Sequence, residues 1–272
     1  MGRAIEVVTG FVTAPGATFT AWTLAAGNSL TVRNSVPDTP VHLLDMWAHN
    51  QAAGTLRVRS PRLHDNVQGI RSAITVGLVA PLLPYRPRQR LIAQDQLVAE
   101  QTGSAVGGDI ETGALLLYYE NLPGVEGRFV DVDTVVRRAV TIENVENTIA
   151  TGIAGGYSGE EAINAEFDLL KANTDYALLG YLVAQQCAVV RWRGSDTGNL
   201  GVGGPGEVTL RHLTKEWFLR LSRDTGFPCI PVFNSANKGA VLVDCAQNEL
   251  GVDVTVTSIF AELGPTGTVV PR

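Results

Sequence analysis

The sequence predicts an all-β fold, two β-sandwiches in tandem with one or two short helices, and three observations predict it. The 272 residues are 45% hydrophobic and 18% charged, with 29 Gly and 13 Pro. That is enough apolar material for one large core or two ordinary ones, and too much for a disordered chain. Runs of β-forming residues are separated by turn signals at intervals that suit a sandwich or barrel. The chain also repeats itself at half its length.

The repeat lies in two blocks. The stretch Val41 to Arg59 aligns with Tyr176 to Arg193 with one gap, so that Leu43 and Leu44 meet Leu178 and Leu179, and Arg57 and Arg59 meet Arg191 and Arg193. The offset is 135 residues, falling to 134 after the gap. Ala114 to Leu122, followed by Pro-Gly, resembles Thr255 to Leu263, followed by Gly-Pro, at an offset of 141. Two blocks in the same order point to a duplication, with one sandwich and its N-terminal arm over 1–135 and a second sandwich over 136–272.

Taken in order, Ser29 to Val32 and Leu56 to Arg59 alternate as half-buried strands do. Pro81, Pro84 and Pro87 exclude a helix or central strand, so 81–87 is expected to be an extended crossing segment. Glu160 to Leu170 fits either a short helix behind Ser158 or, from Ile163 to Leu169, an alternating strand. Ala177 to Trp192 is long, apolar and rich in Val and Tyr, as in a buried sheet. Between Val208 and Thr225, Leu210, Leu213, Trp217 and Leu221 recur at helical steps, with Gly226 and Pro228 as a stop signal. Val252 to Phe260 alternates again.

The chemistry-bearing residues exclude more than they suggest. A net charge of −6 gives no global basic field for nucleic acid. Cys187, Cys229 and Cys245 stand in no metal spacing and read as buried thiols. No run approaches the length of a membrane helix, and Met1 to Glu6 lacks an apolar stretch, so neither an anchor nor an export signal is expected. His42, His49, His64 and His212 include no His-x-His, and His42 and His49, seven apart, are expected on opposite faces of one strand. No metal site is expected. Gly201 to Gly206 matches G-x-G-x-x-G but follows a turn-rich loop, and Pro205 removes a donor, so it reads as a glycine-rich surface or interface loop rather than a phosphate cradle. Glu160 stands where a nucleophile elbow at Ser158 needs Gly. Pairs such as Asp131/Asp133 and Glu143/Glu146 cannot be placed at a substrate. No catalytic residue, cofactor or small-molecule substrate is therefore expected.

Charge clusters as arginine instead. Arg57, Arg59, Arg62, Arg71, Arg86, Arg88 and Arg90 fall within 34 residues that hold one acid, Asp65, and the chain has 18 Arg to 3 Lys. Arginine suits subunit contacts and phosphate contacts alike. The duplicated blocks, the tandem sandwiches, the empty catalytic inventory and the arginine-heavy surface together resemble the double jelly-roll major capsid proteins of tailless icosahedral viruses and phages. The resemblance covers most of the chain and carries no signature motif. It implies two jelly-roll barrels per chain, a homotrimer whose six lobes tile a virion shell, and contacts with itself, with other virion proteins, and with packaged nucleic acid or an inner membrane. It also implies interface roles for Arg57, Arg59, Arg62, Arg86, Arg88, Arg191 and Arg193, and for the loops Pro61 to Gly69 and Gly194 to Gly206. A capsid-decorating, vertex or tail protein, a carbohydrate-binding sandwich and a sandwich hydrolase are the other classes. Trp22, Trp47, Trp192 and Trp217 lie in apolar stretches that suit cores rather than sugar platforms.

Overall fold

Strands alternate with tight turns along the whole chain in the computed structural model, which describes residues 2–34, 39–63, 66–79, 89–150, 152–157, 159–248 and 252–269. The first half contains β1 (Gly2–Thr13), β2 (Thr20–Ala21), β3 (Thr23–Leu24), β4 (Val41–Asn50), β5 (Gly54–Arg59), β6 (Ile70–Ile74), β7 (Gly77–Val79), β8 (Gln89–Leu91), β9 (Val98–Gln101) and β10 (Ile110–Leu122). The second contains β11 (Phe129–Val130), α1 (Val132–Arg138), β12 (Thr141–Ile149), β13 (Glu161–Ala162), β14 (Thr174–Val183), β15 (Cys187–Arg193) and β16 (Val202–Gly206). It is completed by α2 (Arg211–Thr214), α3 (Trp217–Thr225), β17 (Ile230–Asn234), β18 (Leu242–Ala246) and β19 (Val254–Pro265).

The pairing is antiparallel throughout the described residues, and the central four-strand order of each sheet is the same in the two halves. One sheet of the first half runs β1-β10-β4-β7, with β3 outside β1 and β8 also on β4, and the other runs β2-β9-β5-β6. In the second half the corresponding orders are β12-β19-β14-β17, with β11 outside β17, and β13-β18-β15-β16. Each half is thus a two-sheet jelly roll, eight strands wound as two Greek keys. No described sheet mixes strands of the two halves; an isolated bridge joins Arg3 to Gly127.

A bulge fixes how the copies correspond. On β4 the partner of Leu116 is Asp45 and that of Leu117 is Leu43, so Leu44 is the extra residue. On β14 the partner of Ile259 is Gly180 and that of Phe260 is Leu178, so Leu179 is the extra residue. Leu44 and Leu179 are the pair that the first sequence block aligned. The bulges also set Leu117 against Phe260, an offset of 143, so the closing strands correspond two residues away from the sequence alignment. Alternating apolar strands carry no landmark that would have fixed this register.

The bulge corrects a second expectation. One inserted residue between His42 and His49 reverses the side on which the later ring lies. Both histidines therefore face the second half: His42 lies 5.1 Å from the Phe227 ring and His49 is beside Gln186.

The first half's β1-β10-β4 sheet is buried on both faces, which explains why 114–119 is a continuous apolar run rather than an alternation. Ala114, Leu116 and Tyr118 join a core shared with the second half, while Leu115, Leu117 and Tyr119 join the first half's own core. The single helix expected over 208–225 is two pieces. It breaks where the backbone of Thr214 and Lys215 settles on Gly180, which has no Cβ to hold it off. Glu160 to Leu170, open between helix and strand, is a two-residue strand followed by turns, with Ile163 buried and Phe167 and Leu169 exposed. The segment 81–87 lies outside the described residues.

Candidate functional site

The two jelly rolls meet along a junction made by strands of both halves. The outer face of the β1-β10-β4 sheet lies against β15 and β16 and against α3. The Val7 N–H donates to the Gly201 carbonyl at 2.8 Å, and the Trp47 indole N–H donates to the Ala188 carbonyl at 2.9 Å. Trp47 meets Trp217 edge to face at 6.0 Å, and Tyr118 stacks on Phe227 at 4.3 Å. Asn248 donates to the His49 carbonyl. All four tryptophans are buried, as their apolar surroundings required.

Gly201 to Gly206, expected to be a loop, contains the whole of strand β16, and all five residues of that strand are buried. Its glycines answer a packing demand. A Cβ on Gly203 would strike the Val190 carbonyl, one on Gly204 the Tyr181 hydroxyl and Trp217, and one on Gly206 the Cys187 sulfur. The three cysteines are buried thiols outside any disulfide.

Arg191 anchors the second jelly roll's side of this junction. It lies on β15 directly opposite Asp244 of β18, and its Nε donates to the carboxylate at 2.8 Å while a terminal nitrogen takes the other oxygen. The Tyr157 ring covers the guanidinium at 3.4 Å, and the Tyr157 hydroxyl shares a 2.6 Å hydrogen bond with Thr9 of β1. Burial pushes the Tyr157 hydroxyl up to about 12 and raises the Asp244 carboxyl against the pull of Arg191.

The same constellation recurs in the first half. Arg57 of β5 is directly opposite Glu100 of β9, donates to it at 2.9 Å, and lies 3.7 Å from the centre of the Phe19 ring. Arginine, opposed carboxylate and covering aromatic ring thus occupy equivalent places, the ring coming each time from the connection after β1 or its counterpart β12. Arg59 adds two further bonds to Glu100, and these hydrogen bonds hold that carboxyl below its ordinary range. Arg193, its counterpart, pairs with Glu160 instead.

Beside Arg191 the junction leaves an open cavity of about 320 Å³ lined by Glu6, Arg33, Tyr157, Glu160, Arg191 and Arg193, among others. Arg33 grips Glu6 with two bonds, at 2.9 and 2.6 Å. Each guanidinium in this cavity already has a carboxylate from its own half, so the cavity is not an anion trap, and the contact across the seam is made by hydrogen bonds and apolar packing.

The matched arginines expected at contacts between subunits are therefore occupied inside the chain, on the outer faces of equivalent sheets. Arg62 is exposed, its backbone N–H held by the Ser60 hydroxyl. Arg86 and Arg88, with His64 and Ser158, lie outside the described residues. Sequence reasoning missed Glu100, Asp244, Phe19, Tyr157, Arg33 and Glu6. Glu100 is 43 residues from Arg57 and Asp244 is 53 from Arg191, and only the strand pairing brings them together. Among the described residues no group of three or more His, Cys, Asp and Glu side chains could hold a metal ion, and no helix is long and apolar enough to cross a membrane.

No family profile and no curated protein matches the chain. Among solved structures it is similar to the PBSX exported protein XepA, with a TM-score of 0.27 and 8% identity over 94% of this chain and 86% of that one. It is also similar to the major capsid protein P2 from Bacteriophage PM2, with a TM-score of 0.25 and 10% identity over 96% of this chain and 97% of that one. Likenesses this distant carry no weight on function.

Proposed function

We propose that this chain is a structural subunit that assembles with copies of itself into a shell, in the manner of double jelly-roll capsid proteins, and that it performs no catalysis. The observation that carries this reading is the asymmetry of burial between equivalent strands. In β16 all five residues are buried, whereas its counterpart β6 alternates, with Arg71 and Ala73 exposed. In β1 nearly every residue is buried, whereas its counterpart β12 alternates, with Ile142, Asn144 and Glu146 exposed.

Inside the chain, the first-strand sheet of one jelly roll covers the β15–β16 face of the other. This contact is heterologous, so each chain is left with the β5–β6 copy of one face and, of the other, the β12 edge of a copy whose β14 side is covered by α2. Such contacts propagate head to tail and close into a ring when the rotation allows. Three chains, six lobes and an approximate sixfold arrangement are the closure that the resemblance implies. The virion is the corresponding location, with other virion proteins, packaged nucleic acid or an inner membrane as further contacts. Light scattering on the full chain at micromolar concentration tests the reading: a discrete oligomer supports it, and a monomer at every concentration refutes it.

A further inference from the structure

The repeat states which residues should meet when two chains join. The pairing Glu6–Leu117 in the first half corresponds to Glu143–Phe260 in the second, so Val7 is equivalent to Asn144 and Thr9 to Glu146. On the opposing face, the pairs Arg57–Arg71 and Val58–Ile70 correspond to Arg191–Gly203 and Trp192–Val202, so Gly201 is equivalent to Gly69. Within the chain, Val7 bonds to Gly201 and Thr9 bonds to the ring that covers Arg191.

We propose that the outer face of β12 in one copy docks on the β5–β6 face of a second copy. In this contact Asn144 takes the place of Val7 against the partner's Gly69, and Glu146 takes the place of Thr9 against the partner's Phe19. The inference rests on the self-assembly reading and deepens it by naming the surface. Continuity with the intrachain junction is one support, since each face is the duplicated twin of one already joined. Charge is the other. Phe19 lacks the hydroxyl that Tyr157 offers to Thr9, and Glu146, longer than Thr9 and charged, reaches past that ring to Arg71. The Arg71 guanidinium is exposed and lies 5.4 Å from the centre of the Phe19 ring. Among the described residues the receiving face carries Arg57, Arg59 and Arg71 against one acid, Glu100, and the docking face presents Glu146. Both faces keep polar side chains among the apolar ones, which suits a surface that meets water before assembly.

The test is a charge swap read by sedimentation velocity on the full chain at several concentrations. Glu146→Arg alone and Arg71→Glu alone each set like charges together and should weaken association about tenfold or more. The double variant restores the opposed pair and should recover most of the wild-type assembly. Circular dichroism and thermal unfolding should be unchanged in all three, because both side chains are exposed. If the wild type assembles and the single variants assemble equally well, the docking face lies elsewhere and these faces meet another partner; the shell reading then stands without this contact. If the single variants dissociate and the double variant stays dissociated, the pairing of these two residues is refuted. A wild type that never assembles refutes both the contact and the reading on which it rests.

Discussion

Trp47→Ala is expected to destabilise the whole chain, because Trp47 sits in the core that the two jelly rolls share. Its side chain is 1% exposed and packs edge to face on Trp217 of the second half. Truncating a buried aromatic side chain of this size costs about 3–5 kcal/mol in lost transfer energy and residual cavity. The indole N–H also satisfies the Ala188 carbonyl at 2.9 Å, and an orphaned buried acceptor costs about 1–3 kcal/mol more. Partial collapse of the site offsets some of this, leaving an expected loss of about 4–6 kcal/mol. Trp47→Phe keeps a ring against Trp217 and loses chiefly the donor, so its expected cost is about 1–3 kcal/mol. Urea titration followed by far-ultraviolet circular dichroism gives both values, measured at one protein concentration because assembly adds stability. A loss below about 1 kcal/mol for the alanine variant would refute the claim that the junction is a continuous core. Equal losses for the two variants would refute the part assigned to the hydrogen bond.

Arg191→Lys should destabilise more than Arg59→Lys, by about 2 kcal/mol, because a lysine cannot reproduce the two-point grip on buried Asp244 or stack under Tyr157; thermal unfolding of the two variants checks the order. The Glu100 carboxyl is held low in the folded chain, so the unfolded chain binds its proton more tightly and stability rises with pH through the carboxylate range. This contribution is present above the ordinary carboxylate value and lost as pH falls through the folded one, so Glu100→Gln should flatten the acid side of the stability profile. Deleting Leu44 should abolish folding, since removing the bulge residue turns one end of β4 inside out, whereas Leu44→Ala should give a folded but weaker chain; solubility and circular dichroism separate the two.

What the sequence disclosed followed from how local each signal is. The duplication was legible because the pairs Leu43, Leu44 and Arg57, Arg59 recur in the same order in the second copy with one gap between them, and the structure places the bulges at the aligned Leu44 and Leu179. The unbroken apolar run from Ala114 to Tyr119 carries the mark of a doubly buried sheet, although sequence reasoning takes it only as the closing block of the repeat. The facing of His42 and His49 was not legible, because a one-residue bulge leaves no mark in hydrophobic periodicity. The partners of the arginines were illegible for another reason. Glu100 and Asp244 become neighbours only through pairing of distant strands, so a surface rich in arginine looked free when much of it was paired. The glycines of β16 misled as well, since close approach of two sheets calls for the same residues as a turn.

The central claim is that each chain carries two equivalent modules joined by a contact that repeats between chains. Negative-stain electron microscopy of the native, full-length protein tests it most directly through class averages of single particles. The account predicts closed rings of six similar lobes with the mass of three 29.0 kDa chains. Isolated two-lobed particles at every concentration would contradict it.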